Sequence, residues 1–204
     1  MTLEDLERRA AIKGDALAEL SDNLVFGEGD PDAQLMIIGE APGEEEDLSG
    51  RPFVGRAGQL LDRILESVGI HRDDIYITNI VKFRPPRNRN PRPEEIEASE
   101  PVLVEQIRLI RPQLIATLGN VPTQHLLQTR EGITKCRGSW RDWCGIRVFP
   151  LYHPAYLLRN PSREQGSPKW QMWQDMKTLK AELDSLGPKA GMVTLDTARQ
   201  DALF

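Results

Sequence analysis

Cysteine is scarce in this chain: among 204 residues there are two, Cys136 and Cys144. Two thiols are too few for an all-cysteine four-iron cluster or a four-cysteine zinc site. In a reducing compartment they are expected as free thiols, not a disulfide. No apolar run is long enough to cross a bilayer. Positive charge is not in excess either. Lys and Arg total 26 against 31 Asp and Glu, a formal net charge of −5. Bulk charge therefore does not advertise a polyanion partner, although the field at one face still can. The segment MTLEDLERRA is charged and amphipathic, without the apolar core of a signal peptide. A cytoplasmic protein is the expectation.

What is present is ordinary for a globular domain: 39% hydrophobic and 28% charged residues. The length suits one domain with a full core, expected over residues 1–186, with 187–204 as a poorly ordered tail. Residues 2–20 are predicted as a helix, because Thr2 and Asp5 have capping-box spacing and Leu3, Leu6, Ala10 and Leu17 recur at roughly helical intervals. Further helices are predicted over 56–68, 93–110, from 120 to Leu127, and over 169–186. Short apolar strands are predicted at 35–38, 74–80, 114–119 and 147–153. Residues 133–146 suggest a hairpin or irregular excursion. Strands alternating with helices indicate a parallel sheet covered on both faces, a three-layer α/β/α sandwich.

In such sheets ligands bind outside the carboxyl ends of the strands. Glu40 follows the first strand in a Gly-Glu-Ala-Pro-Gly turn, Asn79 ends the second, Gly119 and Asn120 follow the third, and His153 follows the fourth. A carboxylate, an amide and an imidazole thus meet at one edge. Glu40 can act as a general base or orient water. Asn79 offers a donor and an acceptor to the edge of an amide-like ring. His153 can donate where negative charge develops. Asn79 capping a loop and His153 packing a turn are the plain alternatives. The run Glu44, Glu45, Glu46 and Asp47 is expected to be a solvated turn near a helix start.

Phe53 lies between glycines in GRPFVGRAG and suits stacking on a nucleobase, with plain core as its alternative. In VKFRPPRNRNPRP, Lys82, Arg84, Arg87, Arg89 and Arg92 alternate with prolines that prevent a helix. The charges are expected to hold this loop at the surface, where it could meet phosphates. Tyr156, Leu157, Leu158 and Arg159 follow His153 and could wedge into a base stack or simply pack a helix start.

Together, GEAPGEEED, GRPFVGRAGQLLDRIL, YITNIVKFRPPRNRNP and HPAYLLR resemble the family 4 uracil-DNA glycosylases, in order and with the expected spacing, from about Val25 to Leu183. The resemblance implies a central four-stranded parallel sheet between helices and excision of uracil from DNA to leave an abasic site. It implies that Gly39, Glu40 and Ala41 hold uracil and the attacking water, that Phe53 stacks on the base, and that Asn79 reads its Watson–Crick edge. His153 would contact uracil O2, with Glu40 and His153 as the catalytic pair. Lys82, Arg84, Arg87, Arg89, Tyr156, Leu157, Leu158 and Arg159 would meet DNA.

One departure stands out. The four-iron cluster of that family uses four cysteines, and the corresponding positions here are Ile12, Asp15, Phe83 and Ser99. No iron–sulfur cluster and no metal is expected, with Ile12 and Phe83 packing where a cluster would lie. The C-terminal Gln200-Asp201-Ala202-Leu203-Phe204 is similar to the bacterial sliding-clamp-binding pentapeptide, with Gln200, Leu203 and Phe204 as its anchors. The expected protein is a monomeric enzyme of the nucleoid. The competing reading is a uracil-DNA binding protein without turnover, although no histidine stands in the loop after Asn79 where some relatives trap DNA covalently.

Overall fold

The computed structural model describes residues 1–12, 17–18 and 23–187. The chain begins with α1 (Leu3–Ile12), whose capping box closes as its spacing predicts: Thr2 N–H donates to Asp5 Oδ2 at 3.1 Å and Asp5 N–H to Thr2 Oγ1 at 3.2 Å. Then follow β1 (Glu28–Gly29), β2 (Leu35–Gly39), α2 (Glu44–Ser49), α3 (Arg56–Ser67), β3 (Tyr76–Asn79), α4 (Pro93–Ile110), β4 (Leu114–Leu118) and α5 (Asn120–Leu127). The last elements are α6 (Ile133–Cys136), β5 (Arg141–Trp143), β6 (Ile146–Leu151), α7 (Pro154–Arg159) and α8 (Pro168–Ser185).

The sheet has six strands in the order β1-β3-β2-β4-β6-β5, not four. The four central strands are parallel, as the βα alternation requires. Both outer strands are antiparallel additions, β1 on β3 and β5 on β6. They are two and three residues long, too short for a hydrophobic pattern to announce them. Such short edge strands also limit pairing with another chain.

Strand alternation divides the core into two layers. Leu35, Ile37, Ile77, Leu114, Ala116, Leu118, Phe149 and Leu151 face one side, where Leu61 and Leu65 of α3 and Met172, Met176 and Leu179 of α8 cover them. Met36, Ile38, Tyr76, Ile115 and Val148 face the other, against Leu103, Ile107 and Ile110 of α4. Burial of each large apolar side chain contributes about 1.5–3 kcal/mol, which makes this two-sided layering the main stabilising term. The layers also fix the strand ends in one row, and Glu40, Asn79 and His153 lie at or just past those ends. Of the expected tail, only Gly187 is described: its carbonyl accepts from Gln34 Nε2 at 2.8 Å. Gln200, Leu203 and Phe204 lie outside the described residues.

Candidate active site

The parallel register places Gly39 of β2 beside Asn79 of β3. Beyond the strand ends opens a cleft of about 700 Å³, lined by Glu40, Ala41, Phe53, Asn79, Tyr152 and His153 among others. Gly39 is not part of that lining. It is buried beneath it, and a Cβ there would stand 2.3 Å from Asn79 Oδ1 and 2.4 Å from Phe53 Cζ. Its missing side chain is what lets the amide and the phenyl ring close on one another.

Asn79 is buried, and its Oδ1 has no hydrogen-bond partner among the described residues. An unpaired buried acceptor costs about 1–3 kcal/mol, so this atom is set for a donor that the fold does not supply. The backbone after Asn79 is tied to the Glu40 turn: Ile80 N–H donates to Gly39 O at 2.9 Å and Val81 N–H to Glu40 O at 3.3 Å.

Phe53 has φ of 53°, in the left-handed region that few non-glycine residues adopt. Its loop is held from both ends. Arg72 donates to Pro52 O at 2.5 Å and Phe53 O at 3.4 Å, and is itself fixed by Glu28 and Asp62. Glu46 Oε1 accepts from Val54 N–H at 2.9 Å and Gly55 N–H at 2.8 Å. Gly58 leaves room for the Phe53 backbone, since a Cβ there would lie 1.9 Å from Phe53 O. The ring is thereby presented to the cleft, 6.0 Å between centroids from the His153 imidazole.

His153 caps α7, its Nδ1 accepting from Ala155 N–H at 3.1 Å. An accepting Nδ1 leaves the proton on Nε2, which becomes the donor. Burial, reinforced by the positive charge of Arg159, lowers its pKa to about 4, so the ring is neutral at physiological pH. Gly119, at φ 95°, allows the close approach of this side chain: a Cβ there would lie 3.1 Å from His153 Cβ. Burial acts oppositely on Glu40 and raises its carboxyl above the ordinary value.

Glu40, Ala41, Phe53, Asn79 and His153 therefore come together as the sequence suggests, but the expected DNA face needs correction. Lys82 is not on the surface. It is fully buried, with Nζ donating to Thr78 Oγ1, Asn79 O and Gln106 Oε1 at 2.6, 2.7 and 2.6 Å. Gln106 is far along the chain, so the loop's charge pattern gave no sign of these acceptors. Leu157 belongs to the core, packed as a helix residue of α7. Tyr156 lines the cleft and its ring lies 5.0 Å from that of Tyr152. Leu158 is half-buried, while Arg159 is exposed and lines the cleft. Arg87 is exposed, Arg84 Nε donates to Asn88 Oδ1 at 2.7 Å, and Arg89 forms a two-point pair with Glu95 beside the cleft.

The acidic run is also more than a solvated turn. Asp47 is buried and accepts from Asn23 N–H at 3.0 Å, and Glu46 holds the Phe53 loop. Glu46 is the third residue of α2, and it accepts from Gly43 N–H at 3.1 Å. Neither Glu46, whose N-cap partner Gly43 has no side chain, nor Arg72 nor Gly58 carries a signal that short-range pattern provides.

The side chains do not suit a four-iron cluster. Phe83 is buried among Leu17, Tyr76, Leu103 and Ile107, and Ser99 is buried on α4. A phenyl group is no iron ligand, and Cys136 and Cys144 are placed elsewhere, in α6 and in the turn between β5 and β6. The side chain of Ile12 and all of Asp15 lie outside the described residues.

Comparison with known proteins gives a family match over residues 26–177, to the uracil DNA glycosylase superfamily. The chain is similar to the type-4 uracil-DNA glycosylase of Thermotoga maritima, 50% identical over 144 residues that cover 70% of this chain and 75% of the relative. It is similar to the type-4 uracil-DNA glycosylase of Saccharolobus solfataricus, 50% identical over 148 residues, 68% of each chain. That of Sulfurisphaera tokodaii is 48% identical over 149 residues, covering 69% of this chain and 68% of the relative.

Proposed function

Because the chain belongs to the uracil DNA glycosylase superfamily, we propose that the cleft at its strand ends is where it cuts uracil from DNA. The protein is a uracil-DNA glycosylase: it hydrolyses the N-glycosidic bond of uracil in DNA, a step of base excision repair that leaves an abasic site. The observation that supports the site assignment best is the unpartnered Asn79 Oδ1 beside the Phe53 ring. Uracil carries a donor at N3 and can satisfy it. Cytosine carries an acceptor there and leaves it unpaired.

The target nucleotide leaves the stack and enters the cleft, at a cost of a few kcal/mol, roughly, that is least for a mispaired base. Phe53 stacks on it while Asn79 engages its Watson–Crick edge. Bond cleavage develops positive charge on the deoxyribose and negative charge on the departing base. The Glu40 carboxylate stabilises the sugar cation and aligns water for attack at C1′. His153 donates from Nε2 to uracil O2, where charge grows. A neutral imidazole donor suits this better than an imidazolium, because it leaves the Glu40 charge uncompensated and available to the sugar. No lysine among the described residues lines the cleft, so hydrolysis should stop at the abasic site without strand cleavage.

The test uses end-labelled oligonucleotides with uracil opposite guanine, opposite adenine, and in a single strand. Alkali-dependent cleavage by the wild type but not by Glu40→Ala is the expected result. A uracil-dependent band shift without cleavage would support the binding-protein reading instead.

The enzyme also works without an iron–sulfur cluster in this reading. Burial of Phe83 offers apolar packing, on the order of 2 kcal/mol for a large side chain, in place of metal–ligand bonds. Metal analysis of protein produced in iron-replete medium should find substoichiometric iron. Stoichiometric iron with sulfide would contradict it. The protein would act as a monomer in the cytoplasm, on nucleoid DNA, and Gln200, Leu203 and Phe204 would anchor it to the sliding clamp. Deleting residues 200–204 should then abolish clamp binding, and unchanged binding would dismiss that anchor.

A further inference from the structure

Among the described residues Lys82 is the largest fully buried charged side chain, and the mechanism above does not use it. Its three partners are all acceptors. Thr78 commits its own hydroxyl hydrogen to Phe26 O at 2.7 Å. Gln106 commits its amide nitrogen to Phe26 O at 2.9 Å, which turns Oε1 toward the lysine. The third is the backbone carbonyl of Asn79. A neutral amine has two N–H groups and would direct its lone pair at an oxygen, so the geometry calls for the ammonium with all three donors used. Burial pushes the pKa of this group well below the ordinary lysine value, whereas hydrogen bonds made by a charged group favour its charged form.

The site lies directly behind the proposed uracil reader. The ammonium holds the Asn79 carbonyl, and the next two N–H groups donate to Gly39 O and Glu40 O. The Lys82 carbonyl in turn accepts from Val25 N–H at 2.8 Å, closing the segment at its far end. Residues 79–82 thus form a short strap between a buried cation and the turn that carries Glu40. On the reading of this cleft as the uracil site, we propose that Lys82 is a positioning residue of the glycosylase, which fixes the Asn79 amide and the Glu40 turn and makes no contact with DNA.

The test is a double-mutant cycle in the full chain, read by single-turnover release of uracil from a U·G duplex. Lys82→Met keeps the length of the stem and removes the three donors. It should slow release by roughly 10²-fold, the scale of a misplaced reacting group. In an Asn79→Ala background the same change should slow release several-fold less, because the amide it serves is already gone. Affinity for abasic-site duplex should stay within twofold of wild type. Gln106→Leu removes one acceptor and should show the same coupling in a milder form, and it decides the matter if Lys82→Met does not fold. Equal slowing in both backgrounds, or an affinity loss for the product duplex, would overturn the proposal while the wild-type activity still supports the uracil site. A wild type that releases no uracil would overturn both.

Discussion

Gly39 and Asn79 are paired in the parallel ladder of β2 and β3, and a single methyl group on Gly39 would collide with the Asn79 amide and the Phe53 ring at once. Gly39→Ala should therefore damage the site from below without entering the cleft. We expect a loss of uracil excision of tenfold or more, by about the magnitude that misplaced groups produce. Overpacking should also lower stability by about 1–3 kcal/mol. Single-turnover excision and urea unfolding, measured on the same preparation, check both parts. Full activity would mean that ring and amide retreat freely.

Asn79→Asp changes one atom of the amide and reverses its hydrogen-bonding logic. An ionised carboxylate in this buried position has lost the donor that the uracil O4 edge needs and repels the anionic leaving group. Uracil excision should fall by at least ~10²-fold, comparable to removing one donor from an anion-stabilising site. The selectivity for uracil over cytosine should shrink with it. Parallel assays on U·G and C·G duplexes decide this, and an unchanged uracil rate would displace Asn79 from its assigned role.

The acid limb of the pH–rate profile should belong to Glu40. Burial raises its carboxyl above the ordinary value, whereas burial lowers His153 to about 4. Activity should fall as pH drops through the Glu40 value, and the residual rate of Glu40→Gln should be flat there. The stability consequence has the opposite sense. A carboxyl whose folded pKa exceeds its unfolded pKa disfavours folding once it is ionised, so its penalty is present at neutral pH and vanishes below the unfolded value. Glu40→Gln should raise the melting temperature at pH 7 and raise it less at pH 4. A lower melting temperature at pH 7 would show that the carboxylate is held by partners after all.

The exposed arginines should carry the salt dependence of DNA binding. Arg87 and Arg159 are both exposed, and Arg159 stands at the cleft. Replacing either with alanine should weaken binding to uracil-free duplex and reduce the salt slope by about 1. Lys82→Met should leave that slope as it is. Fluorescence anisotropy across a salt series separates the three variants.

The sheet, its helices and the row of strand-end residues were legible because two strong periodicities repeat along the chain. Leu35 to Ile38 and Leu114 to Leu118 are buried on both faces and read as continuous apolar runs. The outer strands β1 and β5 are too short to show a period, so the sheet is wider than its apolar runs imply. Glu40, Asn79 and His153 were recoverable because topology alone brings strand ends together. Lys82 was misplaced for the converse reason. Charge in a proline-rich loop is a local signal, and the acceptors that drew this lysine inward include Gln106 of α4, which no local signal connects to it. Arg72 and Glu46 escaped notice for the same cause: each acts on backbone groups of the Phe53 loop, and backbone hydrogen bonds leave no mark on composition.

The clamped backbone around Phe53 has a kinetic consequence. Arg72 grips the carbonyls before the ring and Glu46 the amides after it. A wall held in this way is assembled before any nucleotide arrives. The slow movement should then belong to the nucleic acid, with the enzyme waiting on the breathing of the helix. Turnover under such a regime should follow the ease with which each pair opens, quickest where the uracil has no partner, slower opposite guanine, and slowest opposite adenine.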